Sequence, residues 1–173
     1  MKLRKLQLKD APLMLEWMHD QSVTEYMQAD FASKTIEDCE HFIKAAQDIS
    51  ENMHLAIVDN QDIYMGTVSL KNISNTDAEF AITIRKAAMG KGYSIYGMRE
   101  IIRIGFENLN LQTIYWCVSP ENKRAVCFYD KNGYKRIDVT LLNSAWGSTP
   151  FLKSHLIYYQ KTREGGERHS QKN

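Results

Sequence analysis

Apolar and polar positions alternate over residues 2–7, which predicts an opening strand. Asp10 then precedes Pro12, the order of a cap followed by a first-turn proline, and predicts a helix over 11–19. Leu13, Leu15, Trp17 and Met18 give that helix its apolar weight. A short helix is predicted over 23–27. Ser33 or Thr35 opens a longer one reaching about residue 49, with Ile36, Phe42, Ile43 and Ala46 turned inward. Three strand-like runs follow at 54–58, 64–70 and 78–84, separated by the turn-rich stretches 59–62 and 72–77. That is the pattern of an antiparallel meander. After the break Ala88-Met89-Gly90-Lys91-Gly92, the residues Ile95, Met98, Ile102, Phe106 and Leu109 recur at helical spacing and predict a helix over 93–109. Residues 113–118 read as a strand. Ser119-Pro120 signals the start of another helix and Gly133 its stop. Strands at 134–142 and 155–160 close the chain around an irregular loop at 143–151. The polar stretch 162–173 reads as a flexible tail. One mixed α/β domain over 1–161, without internal repeats, is the expected organisation.

Composition narrows the class. The 173 residues are 43% apolar and 25% charged, ordinary values for a globular chain with its own core. No apolar run approaches the ~18 residues of a membrane span. The start MKLRKLQLKD has no signal-peptide core, so a cytoplasmic location is expected. The net charge is +1 and the pI near 7.7. Dedicated nucleic-acid domains read above about 9. Lys161, Arg163, Arg168 and Lys172 are interrupted by Glu164 and Glu167. Neither a nucleic-acid nor a membrane partner is expected. Cys39, Cys117 and Cys127 lack a C-x-x-C spacing and read as buried reduced thiols. His19, His41, His54, His155 and His169 share no ligand spacing, so no metal is expected.

One chemical signal is the turn Gly90-Lys91-Gly92 between a strand and a long helix. The first N–H groups of a helix point outward, its dipole favours negative charge there, and glycine leaves the approach clear. Lys86, Lys91 and Ser94 add cations and a hydroxyl. The dinucleotide fingerprint G-x-G-x-x-G fails, since Ile95 stands where its third glycine belongs, and no G-x-x-x-x-G-K-[ST] loop is present. By spacing alone the turn is either an anion cradle or a plain tight turn.

A second segment bears on that choice. Val118-Ser119-Pro120-Glu121-Asn122-Lys123-Arg124-Ala125-Val126-Cys127-Phe128-Tyr129-Asp130-Lys131-Asn132-Gly133-Tyr134 resembles the cofactor-side strand–helix motif of the GNAT superfamily of N-acetyltransferases. Strand, Asn122, Ala125, Tyr129, a basic residue and Gly133-Tyr134 fall in that motif's order. The superfamily's Gln/Arg-x-x-Gly-x-Gly/Ala signature reads here as Ala87-Ala88-Met89-Gly90-Lys91-Gly92, with Ala87 replacing the leading Gln or Arg. The opening through Asp10, Trp17 and residues 23–27 is similar to the RimJ/RimL-like branch. The resemblance spans about residues 1–161.

That resemblance implies an α/β, strictly α+β, fold of GNAT type. Its central, mostly antiparallel sheet would be splayed between the fourth and fifth strands and flanked by helices. It implies acetyl-CoA as co-substrate, no metal, and a small-molecule or peptide amine as acceptor, in a monomer or homodimer. Backbone groups of Ile82 and Ile84 would pair with the pantetheine arm. Met89, Gly90, Lys91, Gly92, Tyr93 and Ser94 would hold the pyrophosphate. Asn122, Ala125 and Tyr129, spaced for one helix face, would meet the cofactor.

Transfer of an acetyl group to an amine needs the amine deprotonated and the leaving thiolate protonated. Tyr129 is the candidate acid, since a phenol near pKa 10 stays protonated at neutrality. The alternative for it is a packed core aromatic. Glu79 is the candidate base; its alternatives are an acceptor-binding anion or a solvent-facing carboxylate. An oxyanion donor would be a backbone N–H near Ile82. For the acceptor pocket the candidates are Trp17, His19, Asp20, Tyr26, Met27 and Phe31, with Glu25 as a further anion and Trp146, Phe151 and His155 from the late hairpin. A protein N-terminus, a nucleotide-linked amino sugar and a small amine compete as acceptors. A non-catalytic acyl-CoA-binding module is the rival of another class.

Overall fold

A computed structural model of the chain describes residues 1–138 and 155–163. Among them, β1 (Lys2–Lys5) leads through α1 (Ala11–Met18), the single turn α2 (Gln21–Thr24) and α3 (Ile36–Ala45). The meander is β2 (Met53–Val58), β3 (Tyr64–Lys71) and β4 (Asp77–Ile84). Then come α4 (Tyr93–Glu107), β5 (Thr113–Val118), α5 (Lys123–Lys131), β6 (Lys135–Ile137) and β7 (Ile157–Thr162).

Local chemistry moves several boundaries from their expected places. The Asp10 carboxylate does not cap α1; Arg4 clamps it through two bonds of 2.7 and 2.8 Å, and it also accepts from the Gln7 N–H. α2 begins before the expected residue 23 because Asp20 accepts from the Ser22 N–H at 2.9 Å. Thr35 and Asp38 form a reciprocal capping box that starts α3 at Ile36. Asp48, turning on the Ser50 N–H, follows an end four residues short of the expected 49. Phe42, expected inward, is 36% exposed and packs instead on the His54 ring at 4.8 Å. α5 opens at Lys123 rather than at Ser119-Pro120, since Asn122 is the cap and accepts from the Ala125 N–H at 3.1 Å. Gly133 follows at a φ of 76°, the expected stop. Cys39 is buried, but Cys117 and Cys127 are exposed, against expectation. Cys117 falls on the face of β5 opposite the buried Trp116, and Cys127 on an exposed side of α5. The expected strand past residue 138, the loop at 143–151 and the tail from 164 lie outside the described residues.

The sheet runs in the order β1-β2-β3-β4-β5-β7-β6, antiparallel throughout except for the parallel pair β4–β5. α4 covers one face, packing Met98, Ile101 and Ile102 against Val68, Leu70, Phe80 and Trp116. α1 and α3 cover the other, with Trp17, Met18, Cys39 and Ile43 over Ala56, Val58 and Tyr64. Each of the large aliphatic side chains, such as Ile101, Leu70 and Ile43, contributes about 1.5–3 kcal/mol by leaving water.

β4 positions the site. It pairs with β3 along its whole usable length, from Lys71–Glu79 to Gly66–Ile84. With β5 it pairs only at Asp77–Thr113, Ala78–Ile114 and Glu79–Tyr115. Past that point the two strands part. Phe80 and Trp116, the next residue on each strand, meet edge to face at 5.4 Å where the gap begins.

Candidate active site

The gap exposes an edge of β4. Arg85 donates its N–H to Met65 O at 3.0 Å on the β3 side. Strand alternation then turns the backbone groups of Ile84 and Ile82 to the opposite edge, toward β5. No β5 residue pairs with them there. Buried backbone N–H and C=O groups need partners, so this edge is suited to a ligand that carries amides of its own.

The glycine turn closes the far end of β4. Gly90 and Gly92 sit at φ 74° and 86°, a region that L side chains rarely adopt, and Gly92 is the residue that starts α4. A Cβ at Gly90 would meet nothing within 4 Å, and one at Gly92 only Met1 Cε at 3.7 Å. Backbone conformation, not crowding, therefore demands glycine, and the space before the 15-residue helix α4 stays open. Its first-turn N–H groups and dipole face that space. Met89, Lys91, Tyr93 and Ser94 surround it. Arg124, from the first turn of α5, reaches across to within 2.8 Å of Met89 Sδ. Arg124 lies inside the motif segment, yet the sequence reading did not single it out. Its value depends on how α5 leans toward the turn.

Beyond Phe80 stands an aromatic cluster. The Trp116 ring stacks on Tyr159 at 5.7 Å and meets Tyr129 and Tyr134 at 5.4 and 5.2 Å. Tyr129 is 7% exposed and 5.1 Å from the Tyr159 ring. Burial pushes its phenol well above the ordinary value, and nearby Tyr159, Cys117 and Tyr134 act in the same direction. Ala125 lies one helical turn before it, partly buried against the same core. Asn122 sits just outside the helix with its side-chain oxygen committed to the cap. Trp116 Nε1 is buried and finds no hydrogen-bond partner among the described residues.

Glu79 lies on the other face of the sheet, at the closed end of the gap. Lys71 Nζ is 3.2 Å from its Oε1, and Asn72 Nδ2 donates to its Oε2 at 3.2 Å. Its β5 neighbour is Tyr115, whose phenol is pushed up to about 12 by burial, with the Glu79 charge next.

On that same face, under α1 and α3, is a cavity of about 300 Å³. Trp17 and Phe31 line it, as expected for an acceptor pocket, and their rings meet at 5.2 Å. His19, Asp20, Tyr26 and Met27 do not line it. His19 is bonded to Lys34 O, and Asp20 caps α2. His155 is exposed, while Trp146 and Phe151 lie outside the described residues. The cavity's polar groups are ones the sequence reading passed over: His54, Thr67, Ser69 and Thr83. Alternation places them opposite the α4 face, a signal present in the strands but readable only with the register. Trp17 Nε1 donates to Tyr64 Oη at 3.0 Å, and Tyr64 Oη meets Thr67 Oγ1 at 2.7 Å. His54 Nδ1 meets Ser69 Oγ at 2.7 Å. Ala81, Ile82 and Thr83 supply the wall, so the stretch of β4 that borders the gap also borders the cavity. Among the described residues no three His, Cys, Asp or Glu side chains gather as metal ligands, and no helix is long and apolar enough to cross a membrane.

Comparison with known proteins agrees with this fold. The acetyltransferase (GNAT) domain family matches residues 1–135. The chain is 29% identical over 135 residues to spermidine N(1)-acetyltransferase of Escherichia coli, covering 77% of this chain and 72% of that one. It is 28% identical over 137 residues to acetyltransferase PseH of Campylobacter jejuni, covering 78% and 82%. Among solved structures, spermidine N-acetyltransferase of Vibrio cholerae in complex with CoA and spermine superposes with a TM-score of 0.75 at 20% identity, covering 93% and 94%. Campylobacter jejuni PseH in complex with acetyl coenzyme A gives 0.64 at 19%, covering 94% and 98%. With a parted β4–β5 pair, an open glycine turn and a family match over most of its length, the chain belongs to the GNAT acetyltransferase family and is an acetyl-CoA-dependent N-acetyltransferase.

Proposed function

We propose that the chain acetylates the primary amine of a nucleotide-linked amino sugar by direct attack, with Tyr129 as the general acid. The observation that carries the reading is the shared wall: Ala81, Ile82 and Thr83 line the cavity while the same stretch of β4 borders the gap. An amine held in the cavity then stands beside a thioester held in the gap, and proximity of that kind supplies much of a transfer rate.

Acetyl-CoA supplies an activated acetyl group when bound. Two features of the chain fit it. The open edge at Ile82 and Ile84 matches the amides of the pantetheine arm. The turn Met89–Ser94, with Arg124 beside it, matches a pyrophosphate. The unpartnered Trp116 N–H supports the reading further, since a buried donor left unpaired costs about 1–3 kcal/mol until a ligand or water meets it. Tyr129 holds its proton through neutrality and donates it to the sulfur that leaves. Of the roles open to Glu79, its pairing with Lys71 and Asn72 favours a fixed anion near the acceptor over a free base.

The acceptor class follows from the cavity's chemistry. Aromatic walls with Thr67, Ser69 and Thr83 suit a ring bearing hydroxyls. Asp38, the carboxylate that lines it, is spent on the Thr35 cap, and Lys34 lies beside it. A polyamine asks for several unpaired carboxylates. The likeness to spermidine N-acetyltransferases favours that second reading, and the RimJ/RimL-like opening favours a protein N-terminus. Thiol release from acetyl-CoA with UDP-glucosamine, spermidine and a peptide with a free N-terminus separates the three. Turnover of UDP-glucosamine alone is expected; turnover of spermidine alone rejects the sugar.

A further inference from the structure

The amine must lose a proton before it attacks, and Tyr129 and Glu79 do not receive it: the first donates, the second is held by Lys71 and Asn72. We propose that Ser69 and His54 carry that proton out of the cavity, Ser69 as the hydroxyl that meets the amine and His54 as the base behind it. The inference rests on the N-acetyltransferase reading of the cavity.

Register places the two residues in line. His54 on β2 is opposite Ser69 on β3, and Ser69 is opposite Ala81 on β4. All three share one face and line the cavity. Neighbouring strands are about 4.8 Å apart, so His54 stands roughly two such steps from β4 and does not reach an amine beside Ile82 by itself. The Ser69 hydroxyl fills the intervening step, 2.7 Å from His54 Nδ1. Ala81 leaves room above β4 for the incoming nitrogen. Phe42 packs on the imidazole from α3 at 4.8 Å and fixes its plane.

The charged groups around His54 support a neutral ring. Lys71 follows on β3, and Lys34 and Asp38 line the cavity on the α3 side. Burial, then the Lys71 charge, pulls the His54 pKa down, so the imidazole is free to accept at neutrality. The protons balance. An N–H bond of the acceptor ammonium breaks, its proton passes to Ser69 Oγ as the Ser69 proton passes to Nδ1, and the imidazolium then returns one proton to water. The second proton, lost as the amide forms, replaces the one given by Tyr129.

Ring-nitrogen NMR of the wild-type chain tests the resting state without any acceptor. A relay requires Nδ1 as acceptor and the proton on Nε2, with a midpoint below about 6.5. A proton resting on Nδ1 overturns it. Thiol release from acetyl-CoA with UDP-glucosamine and with spermidine tests the flow. In His54→Gln and Ser69→Ala, kcat/KM for the acceptor is expected to fall about 100-fold at neutrality, recovering at high pH where free amine forms unaided. KM for acetyl-CoA should not move, and in His54→Gln the acid limb set by the imidazole should give way to one set by the acceptor amine's own, higher pKa. Wild-type rates with the limb intact overturn the relay. Absence of any acetyl-CoA thermal shift in the wild-type chain overturns the N-acetyltransfer reading itself, whereas an intact shift with the wrong tautomer overturns the relay alone.

Discussion

The two edges of β4 received opposite treatment. Toward β3 every register position from Glu79 to Ile84 is matched; toward β5 the ladder stops at Glu79–Tyr115. Both edges belong to one strand with one set of side chains, so strand propensity cannot explain the difference. The β3 partner comes from the same meander and is set by a short turn. The β5 partner arrives by way of α4, and its direction is decided by how that helix packs on Val68, Leu70 and Phe80. A parallel neighbour reached through a helix can thus be joined at one end and free at the other, which is what a strand must be to hold a ligand by its backbone.

The largest effect is expected where the strands part. Trp116→Ala should lower unfolding free energy in urea by about 3–5 kcal/mol, because the ring contacts Phe80, Tyr129, Tyr134 and Tyr159. A loss no greater than that of a surface substitution would show that this cluster does not anchor the opening. Trp116→Phe sharpens the point: it keeps an aromatic ring, removes the unpartnered N–H, and should weaken acetyl-CoA binding while leaving the free chain's stability nearly unchanged.

Next in size is Tyr129→Phe. Turnover should fall by at least about 100-fold with acetyl-CoA affinity retained. Retained turnover would reduce Tyr129 to a core aromatic. Smaller again is a pair of glycine substitutions, one for each edge. A Cβ at Gly66 would collide with Thr83 O across the matched ladder, so Gly66→Ala should cost about 1–3 kcal/mol of stability. Gly90→Ala meets open space and should cost only about 1 kcal/mol, from its positive φ, while weakening acetyl-CoA binding. Equal stability losses, read from denaturant midpoints, would erase the contrast between the edges.

The smallest effect is a pH slope. Because the fold lowers the His54 pKa, the unfolded chain binds that proton more readily, and stability drops as pH falls below about 6.5. His54→Gln should flatten that part of the slope, measured as urea midpoints against pH. An unchanged slope would mean the ring is not held neutral.

How much of this could be read along the chain depended on the range of the interactions. The strand 113–118 and the start of α4 at Tyr93 were readable to the residue, since period and glycine punctuation are local. The Asn122 cap was misplaced by three residues because Ser119-Pro120 offers the same local chemistry. Asp10 looked like a cap and serves as the counter-ion of Arg4, a choice made by a strand six residues away. The positive-φ glycines of the turn and the place of Tyr129 on α5 were readable because their signals are short and ordered. His54 and Ser69 were not, because a histidine and a serine fifteen residues apart meet only when two strands adopt one register.

The amino-acid sequence by itself determined the order of elements, the glycine turn and the family to which the chain belongs, all carried by spacing within a few residues. The tertiary structure alone decided where β4 and β5 part, which faces the cavity and the aromatic cluster occupy, and which side chains share the cavity wall. Those outcomes depend on helix packing and cross-strand register, in which residues far apart in the chain compete for the same neighbours.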